Sequence, residues 1–570
     1  MIRIFHSPIS LIGNEIGPGE SQAPSHLTTL AIFPNGRRPR QGMYLANHVN
    51  GISLQIESNG GPVSIDHLRV EPLLELKGAL SGSLMELPMI DQFGQLKNIG
   101  WPGKLGSVET LRERPRWPSS NAKEETLSTK RQFQTECRDG FWWFVDEQGE
   151  PFWSLGVTNA GRGSLVQVSD REELFADLPD QSDHRFDSAF VQIDEKEFID
   201  FYYSNLIRRF GPKFRRKLGI RTATRLHDWH VNTLGDGSAE VVRDRFPGPY
   251  VATVNSNAIH MDGVGPIPDP FDPSFDQRLD AACQLVARRV LLNGRCLGVC
   301  VDNHQVWPDR IVSNAFAKKR SAVRDAFLKH LKEQYTDIAA LNTAWQSEFH
   351  DWEEVSVTPT MIQDASRQET GSDMSTAHSL LQDCDSLLAL FANRYFFRCR
   401  LAVNKNLPGK LFLGCQIARF PPVVARACAA HADVFSVKVY SAEPSIDSIP
   451  EDLDIPVLIS GFQFGSCDRG ALGCGNNPMS TQTQRARATA YYLVKALQDR
   501  RIVGAHWDAY SDSSAAAMTG DTMHVGMVDI TDHPHSELTN IFSQIGNSLV
   551  TIRTNQSELP IAVAQHLFTD

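Results

Sequence analysis

The chain has 570 residues, 41% of them hydrophobic and 22% charged, with a formal net charge of −11. Such proportions belong to a folded globular protein, and the length calls for one large domain plus a smaller one. The acidic balance argues against a nucleic-acid-binding surface, and no apolar run reaches the length of about 18 residues that would make a membrane span.

The opening stretch MIRIFHSPISLIGNE carries one early Arg and an interrupted apolar run, without a signal-peptide core or a small-residue cleavage site. As written, the chain is expected in the cytoplasm. A periplasmic or secreted setting requires a leader that has been removed. Residues 1–115 are rich in Gly, Pro and Ser, with short alternating runs such as Gly51-Ile52-Ser53-Leu54-Gln55-Ile56 and Val63-Ser64-Ile65. That texture predicts an all-β sandwich of the carbohydrate-binding type. Residues 116–137 read as a polar linker, 138–555 as the large domain, and 556–570 as a tail.

From Gly140 the pattern alternates between β and α. Phe152–Val157 is a first strand, and Glu197–Arg216 places Phe198, Phe201, Leu206 and Phe210 at helical spacing. Val231–Gly235 and Tyr250–Val254 are the next strands. A helix over Phe275–Leu292 leads into the fourth strand, Leu297–Asp302. Helices cover much of Ala317–Ala344, and the polar stretch Thr358–Ser375 reads as an active-site loop or lid. A helix over Leu380–Asn404 precedes the fifth strand, Lys410–Cys415. A short helix over Val423–Ala430 is followed by strands Asp433–Tyr440 and Pro456–Phe462. Helix Gln482–Gln498 precedes the eighth strand, Ile502–Trp507. Eight strands alternating with helices predict a (β/α)8 TIM barrel, an α/β fold.

Such barrels carry their chemistry at the C-terminal ends of the strands. Those ends supply Asn159, Asp236, Asp302, Asn303, His304, Lys438, Tyr440, Gln463, His506, Trp507 and Asp508. A polar and aromatic set of this kind suits a sugar, whose hydroxyls need paired donors and acceptors and whose C–H faces stack on rings. The ten cysteines follow no framework spacing. Cys283, Cys296, Cys300, Cys399, Cys415 and Cys428 read as small buried side chains in a reducing setting. Asp532-His533-Pro534-His535-Ser536-Glu537 holds ligand-type residues but reads as a surface turn, and Asp521 and His524 add little to it. No metal and no other cofactor is expected.

At the strand ends the sequence resembles glycoside hydrolase family 50, the β-agarases, with the family 42 β-galactosidases more distant. The resemblance is carried by Phe152-Trp153-Ser154-Leu155-Gly156-Val157, Val301-Asp302-Asn303, Phe462-Gln463-Phe464-Gly465-Ser466-Cys467-Asp468-Arg469-Gly470, Val503-Gly504-Ala505-His506-Trp507 and Gly526-Met527-Val528-Asp529, in order from about residue 140 to 540. It implies an N-terminal β-sandwich, a catalytic barrel and a galactan-type substrate. Retaining hydrolysis needs two carboxyl groups about 5 Å apart. Where the family pattern has the acid/base Glu, this chain has His304. Where it has the nucleophilic Glu, this chain has Gly461. Lys438 stands in place of an Asn, and Asp508-Ala509 in place of Phe-Gln.

These exchanges bring in reactive groups, His304, Lys438 and Asp508, which favours an enzyme with a non-standard catalytic set over a pure glycan-binding protein. In that reading His304 protonates the leaving oxygen with its pKa raised by Asp302, and Asp508 or Asp236 activates water. Asn303, Lys438, Tyr440, Gln463, His506, Trp507 and Asp236 bind sugar. A lyase using His304, Tyr440 and Lys438 on a uronate is a further alternative, and Lys438 paired with Asp508 as a space-filling ion pair is another. The expected partner is an oligo- or polysaccharide, sulfated or uronate-containing galactans included. Self-association stays open.

Overall fold

The computed structural model describes residues 9–13, 52–56, 90–95, 132–256, 263–292, 294–308, 310–369, 374–466, 475–517 and 524–554. The barrel strands are β1 (Ser154–Val157), β2 (Thr233–Leu234), β3 (Tyr250–Val254), β4 (Cys296–Val301), β5 (Leu411–Phe412), β6 (Phe435–Lys438), β7 (Val457–Phe462) and β8 (Ile502–Trp507). All neighbours are parallel. Gly156 lies opposite Thr233, Leu234 opposite Tyr250, Val251 opposite Gly298, and Gly298 opposite Leu411. Phe435 lies opposite Val457, Val457 opposite Ile502, and Gly504 opposite Ser154.

The ring closes between β5 and β6 through a broken strand. Gly414 and Gln416 have positive φ, so β5 stops after Phe412 and the chain resumes at Ile417–Arg419. That second piece pairs with Gln305–Val306, an outward extension of β4, and with β6 at Val437. Lower down, Asp433 N and Ser436 N donate to Phe412 O and Leu413 O. The sheet is therefore a closed (β/α)8 barrel.

Its interior is packed with apolar side chains, as small barrels are. Val251, Leu297, Leu458 and Val503, one from each of four strands, form a buried layer with Leu413 and Val434, and Phe144 plugs the layer from below. Phe144 comes from an antiparallel sheet of Gln134–Arg138, Phe141–Val145 and Pro151–Phe152. The linker expected over 116–137 thus ends in a strand. Outside the ring, helices over Phe275–Leu292 and Gln482–Gln498 run as the sequence predicts. The latter starts at Thr481, whose hydroxyl accepts from Gln484 N at 3.2 Å and so satisfies an otherwise open helix-end donor.

Three elements differ from the sequence reading. Glu197–Arg216 opens as a strand, Lys196–Asp200, before helices Phe201–Phe210 and Phe214–Asp228. Asp200 is the cause: its carboxylate accepts from Tyr203 N at 2.9 Å and fixes the helix start there. The polar stretch after Thr358 contains a helix, Pro359–Glu369, seated on the long helix Met374–Asn406. The stretch at Asp532 is interior and not a surface turn. Asp532 and His535 are 1% and 0% exposed, and Asp532 accepts from Arg221 Nε at 2.7 Å, Arg225 at 2.8 Å and Tyr202 OH at 3.0 Å.

Most of the sandwich expected over 1–115 lies outside the described residues, as does the tail over 556–570. Within it, Ile9–Gly13 and Ile52–Ile56 pair as antiparallel strands. Residues 90–95 dock on the barrel: Ile90 N donates to Leu174 O, and Ser514 Oγ and Ala515 N donate to Gly94 O. Among the described residues no helix is long and apolar enough to cross a membrane.

Candidate active site

The mouth is organised around Asp508, the residue after β8. Its Oδ1 accepts from Thr158 Oγ1 at 2.5 Å and from Asn159 Nδ2 at 3.5 Å, and its Oδ2 from Tyr440 OH at 2.7 Å. The Lys438 ammonium, at the end of β6, stands 3.6 Å from Oδ2 and donates to Ser460 O at 3.3 Å. Burial pushes the Asp508 carboxyl up, but Lys438 and the two hydroxyls outweigh it and hold the group below the usual carboxylate range. It is an anion at neutral pH.

Lys438 stands in the space that a side chain at 461 would take. A Cβ added at Gly461 would lie 2.5 Å from Lys438 Cδ and 2.8 Å from its Nζ. No side chain fits at 461 while the lysine stem lies there. The ion pair that sequence reading offered as a space-filling alternative is therefore formed.

His304, on the turn after β4, has positive φ and is exposed. Its ring stacks on that of Tyr440, with centroids 6.0 Å apart and planes 25° apart. Partial desolvation of the imidazole lowers its pKa, Lys438 lowers it further, and Asp508 opposes both. The expected arrangement, in which Asp302 raises this pKa, is not found. Asp302 faces the other way: it accepts from Ser256 N and Oγ at 2.7 and 2.6 Å, Gln305 Nε2 at 3.0 Å and Tyr395 OH at 3.0 Å. Four donors make it a structural anchor for the β4 turn. Beside His304, exposed Asn303 donates to Asp236 Oδ2 at 2.7 Å, and Thr253 Oγ1 donates to Asp236 Oδ1.

Besides Lys438, three residues expected to meet sugar are interior. Trp507 is 0% exposed, its indole N–H donates to Val525 O at 2.8 Å, and its ring packs on Phe462 and Phe542. His506 is 1% exposed and bonds Ser154 Oγ on the neighbouring strand β1 at 2.9 Å. Alternation along β8 explains both, since successive side chains point to opposite faces of the strand and neither direction is the mouth. Gln463 is buried beneath Asn477, whose amide also binds the Tyr440 and Ser441 carbonyls and so ties the loops after β6 and β7 together. Sequence reading did not place Asn477 among the residues of the mouth. It also passed over Thr158, although that residue directly follows β1, the one available signal.

Burial, with a smaller push from Lys438, lowers the His506 imidazole to about 3. The unfolded chain binds a proton at this histidine below about pH 6.5 and the folded chain does not, so stability falls as pH falls. Each pH unit below about 6.5 removes about 1.4 kcal/mol on account of this residue. Urea unfolding at a series of pH values checks this. His506→Gln is expected to flatten the profile, and an unchanged slope would remove His506 as its source.

The fold and the polar mouth at its strand ends define a glycoside-hydrolase-type barrel. No family model matches the chain. β-Agarase B of Vibrio sp. (strain JT0107) is 28% identical over 618 residues, covering 96% of this chain and 63% of that protein. β-Agarase A of the same strain is 27% identical over 524 residues, covering 79% and 51%. The chain thus spans less than two thirds of the length of these curated relatives. The structure of PfGH50B superimposes with a TM-score of 0.71 at 24% identity, covering 82% of this chain and 75% of that one. An exo-β-agarase gives 0.69 at 24% over 85% and 75%, and the agarase AgWH50C gives 0.67 at 25% over 82% and 74%. The chain is β-agarase-like, a relative of the family 50 glycoside hydrolases.

Proposed function

We propose that this chain binds a galactan-type oligo- or polysaccharide in the barrel mouth and does not hydrolyse it by double displacement. One observation carries the reading: the Lys438 ammonium occupies the place of a side chain at 461 and pairs with Asp508 at 3.6 Å. Two of the three reactive groups thereby neutralise each other. A carboxylate held low by a cation and two hydroxyls is a poor acid and a weak base. Asp236 is engaged by Asn303 and Thr253, and Asp302 by its four donors. Among the described residues of the mouth, no free carboxyl remains to make the pair that retention requires. What remains is a platform for sugar: the exposed His304 ring over Tyr440, flanked by Asn303, Asp236 and Asn159. Rings of this kind stack on C–H faces, and the amides and carboxylates can pair with hydroxyls.

A second reading rests on His304 alone. Its lowered pKa leaves it neutral, and so a competent base, at pH 7. On a uronate it would take the proton α to the carboxyl group while the bond to the leaving oxygen breaks, giving an unsaturated sugar.

Calorimetric titration with agaro- and carrageenan-type oligosaccharides, alongside a reducing-end assay and ultraviolet detection of unsaturated product, separates the readings. Binding without product of either kind is expected. Reducing ends from the unmodified chain would overturn the proposal in favour of a non-standard hydrolase. Unsaturated product abolished by His304→Ala would replace it with elimination.

A further inference from the structure

Behind the mouth, three loop residues far apart in sequence converge on one point. Asp512 follows β8, His524 lies 12 residues on, and His535 precedes the helix Ser536–Asn547. His524 Nε2 and His535 Nε2 each stand 2.9 Å from the same atom, Asp512 Oδ2. The three side chains are at most 4% exposed, and their ligand atoms lie within 4.8 Å of one another.

The other nitrogen of His524 decides what this cluster can be. His524 Nδ1 stands 2.9 Å from the Ser466 carbonyl oxygen. A carbonyl only accepts, so Nδ1 carries the proton. A neutral His524 then presents the bare lone pair of Nε2 to a carboxylate oxygen, acceptor against acceptor. Only a positive charge between them relieves this, and it is either a second proton or a metal ion. An imidazole oriented by a backbone carbonyl through its far nitrogen is the usual arrangement around bound metals.

The remaining geometry suits a metal. Ligand atoms about 2.0 to 2.1 Å from one tetrahedral ion are separated by about 3.3 Å, so each nitrogen, now 2.9 Å from Oδ2, need move outward by only about 0.4 Å to admit one. Asp512 is itself fixed, since its Oδ1 accepts from Gly526 N at 2.6 Å and leaves Oδ2 for the two histidines. The nearby guanidinium of Arg485 is turned to the Phe464 and Gly526 carbonyls and to the Gln482 side chain. Asp529, also beside His535, adds a second carboxylate, so the surroundings carry more negative than positive charge.

We propose that Asp512 Oδ2, His524 Nε2 and His535 Nε2 bind one first-row divalent ion, zinc foremost, two imidazoles and one carboxylate being its common donors. The ion is structural. Trp507 N–H donates to Val525 O, and Ser466 N donates to His524 O. Metal bound at His524 therefore ties the loops after β7 and β8 to the barrel wall.

The full chain, purified without a histidine tag and dialysed against metal-free buffer, is analysed for metal and then titrated with Zn2+ against a chromophoric chelator. One equivalent per chain is expected, with a thermal midpoint that falls on exhaustive chelation and recovers with Zn2+. Replacement by Co2+ should give visible absorption bands that are lost in His535→Gln. His524→Asn serves as the second variant if the first does not fold. No stoichiometric Zn2+ on the unmodified chain, with a midpoint indifferent to chelation, would overturn the proposal and assign the charge to a protonated His524. Co2+ bands that survive both substitutions would overturn the ligand assignment.

Discussion

His304→Glu and Gly461→Glu, introduced together with Lys438→Asn, are expected to give a protein that releases reducing ends from agaro-oligosaccharides, where the unmodified chain is expected to release none. The third change is needed for the second to fit, because the lysine stem lies 2.5 Å from a Cβ at 461. Gly461→Glu alone would bring a carboxylate against Lys438 and force one of the two out of its packed position, at a cost of about 1 to 3 kcal/mol for overpacking. With Asn at 438, Asp508 loses its cation but keeps the Thr158 and Tyr440 hydroxyls, which still fix its orientation. A positioned general acid contributes about 100- to 10,000-fold, so the double variant that keeps His304 should be slower than the triple variant by that order. A folded, ligand-binding triple variant with no product would mean that the mouth has lost more than its two carboxyl groups.

Asp532→Asn is expected to be the most destabilising single substitution outside the apolar core. Its carboxylate is 2% exposed and accepts from Arg221 and Arg225, with Arg209 at 3.9 Å. Removing one partner of a buried ion pair leaves charge in a low-dielectric interior without compensation, typically a loss of about 3 to 5 kcal/mol. The urea midpoint should fall accordingly. Asp452→Asn is the control: its bidentate pair with Arg426 has side chains 62% and 52% exposed, and water screens it. No change in midpoint is expected there. Equal losses in the two variants would show that burial is not what sets the strength of the Asp532 cluster.

The parts of the barrel that could be read from sequence are those where one physical rule acts alone. β4, β7 and β8 are buried throughout and, Ser460 and His506 apart, apolar, because parallel barrel strands are covered on both faces. Helix Gln482–Gln498 carries its start signal at Thr481. Lys196–Asp200 was obscured because Phe198 and Phe201 fall three apart, a spacing that a strand entering a helix also produces. Helix Pro359–Glu369 carries few apolar residues, and its seat on a distant helix is a tertiary fact. In the site, Asn303, His304, Tyr440 and Asp508 were legible as strand-end residues. His506 and Trp507 occupy the same sequence position relative to the mouth but point elsewhere, and composition carries no side-chain direction. The Asp512, His524 and His535 cluster was invisible because its members are brought together only by the folding of the long connection between β8 and the helix Ser536–Asn547.

The close approach of Lys438 to Gly461 also makes the two positions a coupled pair. The lysine follows this path beside a position that carries no side chain, and a Cβ there would meet its Cδ at 2.5 Å. A side chain at 461 displaces the end of the lysine, and with it the cation 3.6 Å from Asp508. The effects of substitutions at 438 and 461 are therefore not additive, and a double-mutant cycle across them reads the coupling directly.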